Sequence, residues 1–267
     1  MRPPHAVVVF GITILTCRIA GADLDSLTRF LHSVEAATRV TATVRGDGEF
    51  EVRTPETTHR DQAAVIVRPP ADVFLALHEA GLKALLLGTV ACIVDKQAVT
   101  ARPFAAAATF ADSDFTREDL EPFSLARFKD WRISDESGAE LTVTFSPQDS
   151  QYSLIVITFD REKKVPLRTL YYREALNNLV KMRRDGAFVL GGHRWMPGTT
   201  SMETFKTRTL TTFTLRWTEE SGTPPGIFDP SSLPRATVLW PAPADVGPQK
   251  KVPGTSGADV PGWVDPH

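Results

Sequence analysis

From residue 40 to residue 218 the chain is written in short runs whose apolar residues fall at every second position, with turn residues between the runs. That period belongs to β-strands, and so many of them leave little chain for anything else. Residues 40–44 and 49–53 alternate around Gly46-Asp47-Gly48, which reads as a hairpin. Residues 62–68, stopped by Pro69-Pro70, and 73–78 come next, then short strands within 83–101 around Gly88 and Asp95-Lys96-Gln97. Residues 104–110 form an alanine-rich linker, and 118–128 are expected to be partly helical. Further strands are expected from Arg132 to the turn at Ser137-Gly138 and over 140–146, 152–160 and 165–173. After a turn at Asn177-Asn178 come 179–184 and 188–190, with Asp185-Gly186 as a tight turn between them. A bend at Gly191-Gly192-His193 leads into 193–204, and a Thr-rich run over 206–218 completes the set.

One long helix accompanies these strands. Residues 23–37 carry Leu24, Leu27, Leu31 and Val34 at helical spacing, widened by Phe30 and Ala37, with Asp23 or Asp25 as the cap. An antiparallel sheet with one dry face must cover that face. One helix and one short segment cannot cover a flat sheet of about eleven strands, so the sheet is expected to roll around them. Spacing alone leaves a half-open barrel, a lipocalin-like closed barrel and a two-sheet sandwich as alternatives.

The ends of the chain read differently. Residues 1–22 have the form of a secretory signal: Arg2, an apolar run from Ala6 to Leu15, then Ala20-Gly21-Ala22 as a cleavage site. The run is too short for a stable membrane anchor. Ile14-Leu15-Thr16 before Cys17 is similar to a lipobox, but Thr16 stands where Gly, Ala or Ser is needed, so cleavage after Ala22 is expected rather than lipid anchoring at Cys17. Residues 23–234 then form one β-rich domain. Residues 235–267, rich in Pro and Gly without apolar periodicity, read as a disordered tail in which Trp240 and Trp263 are weak docking points at most.

Charge and chemistry exclude several functions. Taking Arg2 and Arg18 from the 30 basic residues leaves 28 against 32 acidic, a mildly acidic mature chain. That is the wrong sign for nucleic acid or for docking on anionic lipid. Cys92 would be the one cysteine left; within Val90-Ala91-Cys92-Ile93-Val94 it reads as a small buried hydrophobe. No Gly-x-Ser-x-Gly, phosphate loop or His-Glu-x-x-His is present, and His59, His78 and His193 lack ligand spacing. Asp112, Asp114, Glu118 and Asp119 lack the glycine and spacing of a calcium loop and suit a helix N-terminus instead. Neither a catalytic residue, a metal nor a cofactor is expected.

The segment Ser113-Asp114-Phe115-Thr116-Arg117-Glu118-Asp119-Leu120 carries more information. It resembles the Ser-Asp-Phe-x-x-Glu-Asp-Leu turn of the longer outer-membrane lipoprotein-sorting branch of the LolA/LolB-like family. Tyr152, Val165-Pro166-Leu167, Tyr171-Tyr172, Met196-Pro197, Met202 and Phe228 extend the likeness, which spans residues 23–233 and is firmest after Ser113. The resemblance implies a half-open antiparallel β-barrel with a helical lid over an apolar cavity, and a function without catalysis. It implies a monomeric periplasmic carrier of lipoprotein acyl chains or membrane lipid bound for the outer membrane, served by an inner-membrane transporter. A lipid-sensing adaptor that binds a membrane-protein partner is the alternative on the same fold, and a lipocalin-like binder of a small hydrophobe the third.

Inward-facing candidates for the cavity are Phe74, Leu85, Leu87, Ile93, Phe104, Phe110, Phe115, Leu154, Val156, Leu170 and Tyr172. Val67-Arg68-Pro69-Pro70 is similar to the strand-end Arg-Pro segment of the smaller carrier LolA, which implies that Arg68 bonds to the lid. The Trp that usually follows two strands on is replaced by Leu85-Leu86-Leu87 and Cys92-Ile93-Val94, so an aliphatic lining is expected there.

Overall fold

The computed structural model describes residues 21–88, 90–174, 178–223 and 226–240. Helix α1, Gly21–Ala37, opens the chain. The strands of the first half are β1 (Val44–Arg53), β2 (Thr58–Arg68), β3 (Asp72–Leu77), β4 (Lys83–Leu87), β5 (Val90–Val94) and β6 (Arg102–Pro103). One turn of helix, α2 (Arg117–Leu120), and a 3₁₀ turn at Leu125–Arg127 separate them from the second half. That half holds β7 (Phe128–Ser137), β8 (Glu140–Pro147), β9 (Leu154–Asp160), β10 (Val165–Tyr172), β11 (Leu179–Gly186), β12 (Val189–Gly191), β13 (Arg194–Met196), β14 (Thr199–Thr204) and β15 (Thr209–Glu219).

Among the described residues, thirteen strands form one antiparallel sheet in the order β6-β5-β4-β3-β2-β1-β15-β14-β11-β10-β9-β8-β7. The sheet does not close; β6 and β7 remain its edges. Strand β15 pairs β1 along its whole length, so the last strand joins the two halves of the chain at the centre. Only the short hairpin β12–β13 stands outside.

The rolled sheet has a concave and a convex face, and both are covered. On the concave face Val65, Val73, Leu75, Phe145, Ile157 and Phe213 meet Leu27, Leu31 and Val34 of α1 and Phe104, Phe110, Phe115 and Leu125 of the crossing segment. Leu24, expected on the same stripe, is 57% exposed because it lies a turn before the helix reaches the sheet. On the convex face Ile66, Phe74, Leu85, Cys92 and Val94 form a second core beneath Ile227, Phe228 and Leu233, with Val238 and Trp240 beside it. Residues 235–240 therefore belong to the folded domain, not to a tail. Lys83 Nζ donates to the carbonyls of Pro234 (3.1 Å) and Ala236 (2.7 Å), Arg45 donates to the carbonyl of Leu239, and Trp240 meets His78 edge-on. The rest of the expected tail, the signal segment to residue 20 and Cys17 lie outside the described residues.

Two expected turns are strand interior. Strand β1 runs unbroken through Gly46-Asp47-Gly48, and the turn comes at residues 54–57. These glycines serve close packing rather than bending. A Cβ on Gly46 would stand 3.0–3.1 Å from the Trp217 ring, and one on Gly48 would stand 1.8 Å from the Thr214 carbonyl oxygen. Strand β11 likewise runs through Asp185-Gly186, which pair with Thr200 and Thr199. The Gly192-His193 turn between β12 and β13 does form, with positive φ at both residues.

Candidate functional site: a lidded cavity

The concave face is not filled to its end. A cavity of about 210 Å³ lies between the sheet, the C-terminal end of α1 and residues 118–128. One wall is Val65, Val67, Val73 and Leu75 of β2 and β3. The other is Ile155 and Ile157 of β9, with Val165 and Tyr171 of β10. Phe213, Leu215 and Trp217 of β15 form the floor, and Phe123 and Phe128 approach from the lid. Trp217 lies flat against the strand because Gly46 opposite it has no side chain, and its Nε1 donates to the Pro197 carbonyl at 2.8 Å.

The lid is held at separate points. Glu35 of α1 accepts from Ser124 Oγ (2.8 Å) and from the Leu125 N–H (3.0 Å). Arg194 of β13 donates to the Thr38 carbonyl at the end of α1, where a cation is favoured by the helix dipole. Phe30 meets Phe159 edge-on at 6.0 Å.

The acidic turn is the firmest anchor. Phe115 is fully buried against Phe213, as expected. Asp119, whose side chain is 0% exposed, accepts from the Thr116 N–H (2.9 Å), Thr116 Oγ1 (2.7 Å), Tyr152 Oη (2.9 Å) and Lys181 Nζ (3.1 Å). Lys181 also donates to the Asp114 carbonyl at 2.6 Å, and the Asp114 carboxylate accepts from Thr209 and Thr211. Arg183 donates to the Asp119 carbonyl (2.8 Å) and grips Asp185 through two nitrogens (2.9 and 3.0 Å). Burial works against the Arg183 charge, yet Asp185, together with Tyr171 and Asp119, outweighs it and raises the pKa. Burial, reinforced by the Asp119 charge, pushes the Tyr152 phenol far up. Asp114 and Asp119 are thus satisfied partly within the turn, by Thr116, and partly by donors that the helix-terminus reading does not include: Tyr152, Lys181 of β11, and Thr209 and Thr211 of β15.

None of the eleven expected cavity residues lines this cavity. Phe74, Leu85 and Leu87 point to the convex face and its C-terminal cover. Ile93, Phe104, Phe110 and Phe115 are on the concave side but are packed into solid core. Leu154, Val156, Leu170 and Tyr172 are half-buried neighbours of the residues that do line it, Ile155, Ile157 and Tyr171. The reason is parity: side chains alternate between faces, and when both faces carry apolar residues the alternation does not say which is inside. Arg68 is corrected in the same way. It pairs with Asp72 at 2.6 Å and stacks over Phe228 at 4.2 Å, so it holds the C-terminal segment, and the arginines of the sheet that bond the lid are Arg194, at Thr38, and Arg183, at Asp119. Phe213-x-Leu215-x-Trp217 was visible in the sequence as an alternating run of large apolar residues; Arg194 left no such signal.

An open antiparallel barrel with a helical lid over an apolar cavity is the class of protein that this geometry defines. Three solved structures share the fold. One is described as an outer membrane lipoprotein-sorting protein domain from Vibrio parahaemolyticus, with TM-score 0.69 and 14% identity over 78% of this chain and 97% of that one. A DUF1329 family protein from Desulfovibrio piger matches with TM-score 0.66 and 14% identity, over 78% and 98% of the two chains. A LolA superfamily protein from Nitrosomonas europaea matches with TM-score 0.57 and 13% identity, over 75% and 96%. No protein-family profile and no curated protein matches the sequence. The chain therefore has the fold of the LolA superfamily and lipoprotein-sorting structures, half-open as expected.

Proposed function

We propose that this protein is a periplasmic carrier that shields acyl chains of a lipoprotein or membrane lipid on their way to the outer membrane, with an inner-membrane transporter as donor. The observation that carries this reading is the largely apolar cavity beneath a lid whose α1 side is held by few polar bonds. Each such bond is worth about 1 kcal/mol net, and each buried CH₂ about 0.8 kcal/mol, so an acyl chain of ten or so methylenes outweighs the lid contacts at Glu35 and Arg194 together. At about 210 Å³ the closed cavity is smaller than the roughly 300–1,000 Å³ of small-molecule sites, so a cargo with several chains requires α1 to move aside. Among the described residues no helix is long and apolar enough to cross a membrane. Export through residues 1–22 is part of the proposal.

Native mass spectrometry of protein purified from periplasm tests it, followed by lipid extraction and transfer assays between vesicles. Acyl lipid near one per chain, exchanged between vesicles, is the expected result. A lipid-free mass with no uptake from vesicles or lipopeptide overturns the carrier reading and turns attention to a protein-binding adaptor.

A further inference from the structure

Three cationic side chains line the cavity: Arg127, Arg183 and Arg194. Two are matched by carboxylates. Arg127 faces Glu118 and Glu121, and Arg183 grips Asp185. Arg194 has no carboxylate partner among the described residues, and its one protein hydrogen bond goes to the Thr38 carbonyl. The rest of its N–H fork meets no protein acceptor, although a guanidinium carries five donors.

Such an arrangement is costly. An arginine keeps its proton at neutral pH, so a half-enclosed guanidinium must be solvated by something. Burial, and then the charge of Arg183, lower the Arg194 pKa to about 10. The spare N–H groups of Arg194 are not sealed in; they face the open cavity, where an anionic ligand can take the place of water. The fork fits two oxygens of a carboxylate or phosphate, and charge-assisted bonds of that kind are the strong ones.

We propose that Arg194, on the same cavity wall system as Arg183, is a head-group subsite that takes the anionic oxygen head of an amphiphile, carboxylate or phosphate, whose chain lies against Val65, Leu75, Ile155 and Phe213. The inference rests on the carrier reading and narrows it to acidic lipid. Cargo selection is then shared: apolar walls take any chain, and one guanidinium sorts heads.

The test uses the lipid-stripped protein at pH 8 with dodecyl phosphate, dodecanoate, dodecanol and inorganic phosphate, read by the fluorescence of Trp195 and Trp217, which line the cavity. Both acidic amphiphiles are expected to bind about tenfold more tightly than dodecanol. Arg194→Gln should shrink that preference to about twofold, read as the ratio of acid to alcohol affinity so that loss of the Thr38 bond, which acts on both, cancels; Arg194→Lys should keep part of it. Inorganic phosphate alone should bind about a hundredfold more weakly than dodecyl phosphate, because it buries no chain. Equal binding of alcohol and acids by the unaltered protein overturns the head-group subsite and leaves the carrier reading standing. Inorganic phosphate binding as tightly as dodecyl phosphate makes this a free-anion site and overturns the lipid assignment. Failure of every amphiphile to bind overturns the carrier reading, and the subsite with it.

Discussion

Asp119 accepts four donors in a place that water does not reach, and one of them is a lysine whose own side chain is 10% exposed. Removing one member of a buried pair strands the other, so Asp119→Ala should cost about 3–5 kcal/mol in urea unfolding. Replacing both partners, Asp119→Leu with Lys181→Met, should recover part of that loss, because two apolar groups leave no orphan charge. Gly46 sets a different constraint. A methyl group there meets the Trp217 ring at 3.0–3.1 Å, and Trp217 is tethered at Pro197. Gly46→Ala should therefore destabilise by about 1–3 kcal/mol and shift tryptophan emission, since the ring can yield only towards the cavity. At this scale the sequence spoke unevenly. It showed that Phe115 turns inward and that Cys92 is buried, because an aromatic in a polar turn and a cysteine in an apolar run have few other places to go. Alternation puts Phe74 and Val156 in the cavity and the structure puts them elsewhere, because a strand with two apolar faces carries no mark of which face is concave.

Helix α1 packs firmly through Leu27, Leu31 and Val34 but is tied to its neighbours through Glu35 and Arg194. Glu35→Ala should lower stability by only about 1 kcal/mol and raise the rate of lipid uptake several-fold, measured by stopped-flow fluorescence. An unchanged rate would place the lid motion elsewhere. The helix was plain from its spacing, and most strands from their alternation, because both signals are local. Strand ends were less plain. Glycine in Gly46-Asp47-Gly48 and in Asp185-Gly186 looked like turn chemistry, yet the first pair makes room for β15 and the second continues a strand whose Asp185 binds Arg183 and Thr200. Trp217, Thr214 and Thr200 lie on other strands, 15 residues or more away, and no local pattern contains them. The polar web around α2 was hidden for the same cause: its acids are adjacent, and its bases are not.

As a whole the molecule is a sheet with two covers. Residues 226–240 seal the convex core, so a chain ending after Glu220 should lose several kcal/mol of stability, and its Cys92 should react at least tenfold faster with a disulfide reagent. Burial now holds the Cys92 thiol pKa up, which slows that reaction in the intact protein. A chain ending after Trp240 should show neither change. Acid acts on the whole surface at once. Hydrogen bonds from Arg60 lower the pKa of Glu51; Lys163 outweighs burial to lower that of Asp160; Ser231 lowers that of Asp229. Each group binds fewer protons folded than unfolded in the interval between its two pKa values. Stability should thus be level between about pH 5 and pH 8 and fall below about pH 4, as these carboxylates protonate, which urea midpoints from about pH 3 to about pH 8 would record. The two covers also give the molecule a front and a back. Trp240 rests beside the convex core and the cavity opens on the concave side. A label, surface or second protein attached just beyond Trp240 is held behind the sheet, leaving the mouth of the cavity turned outward to whatever approaches.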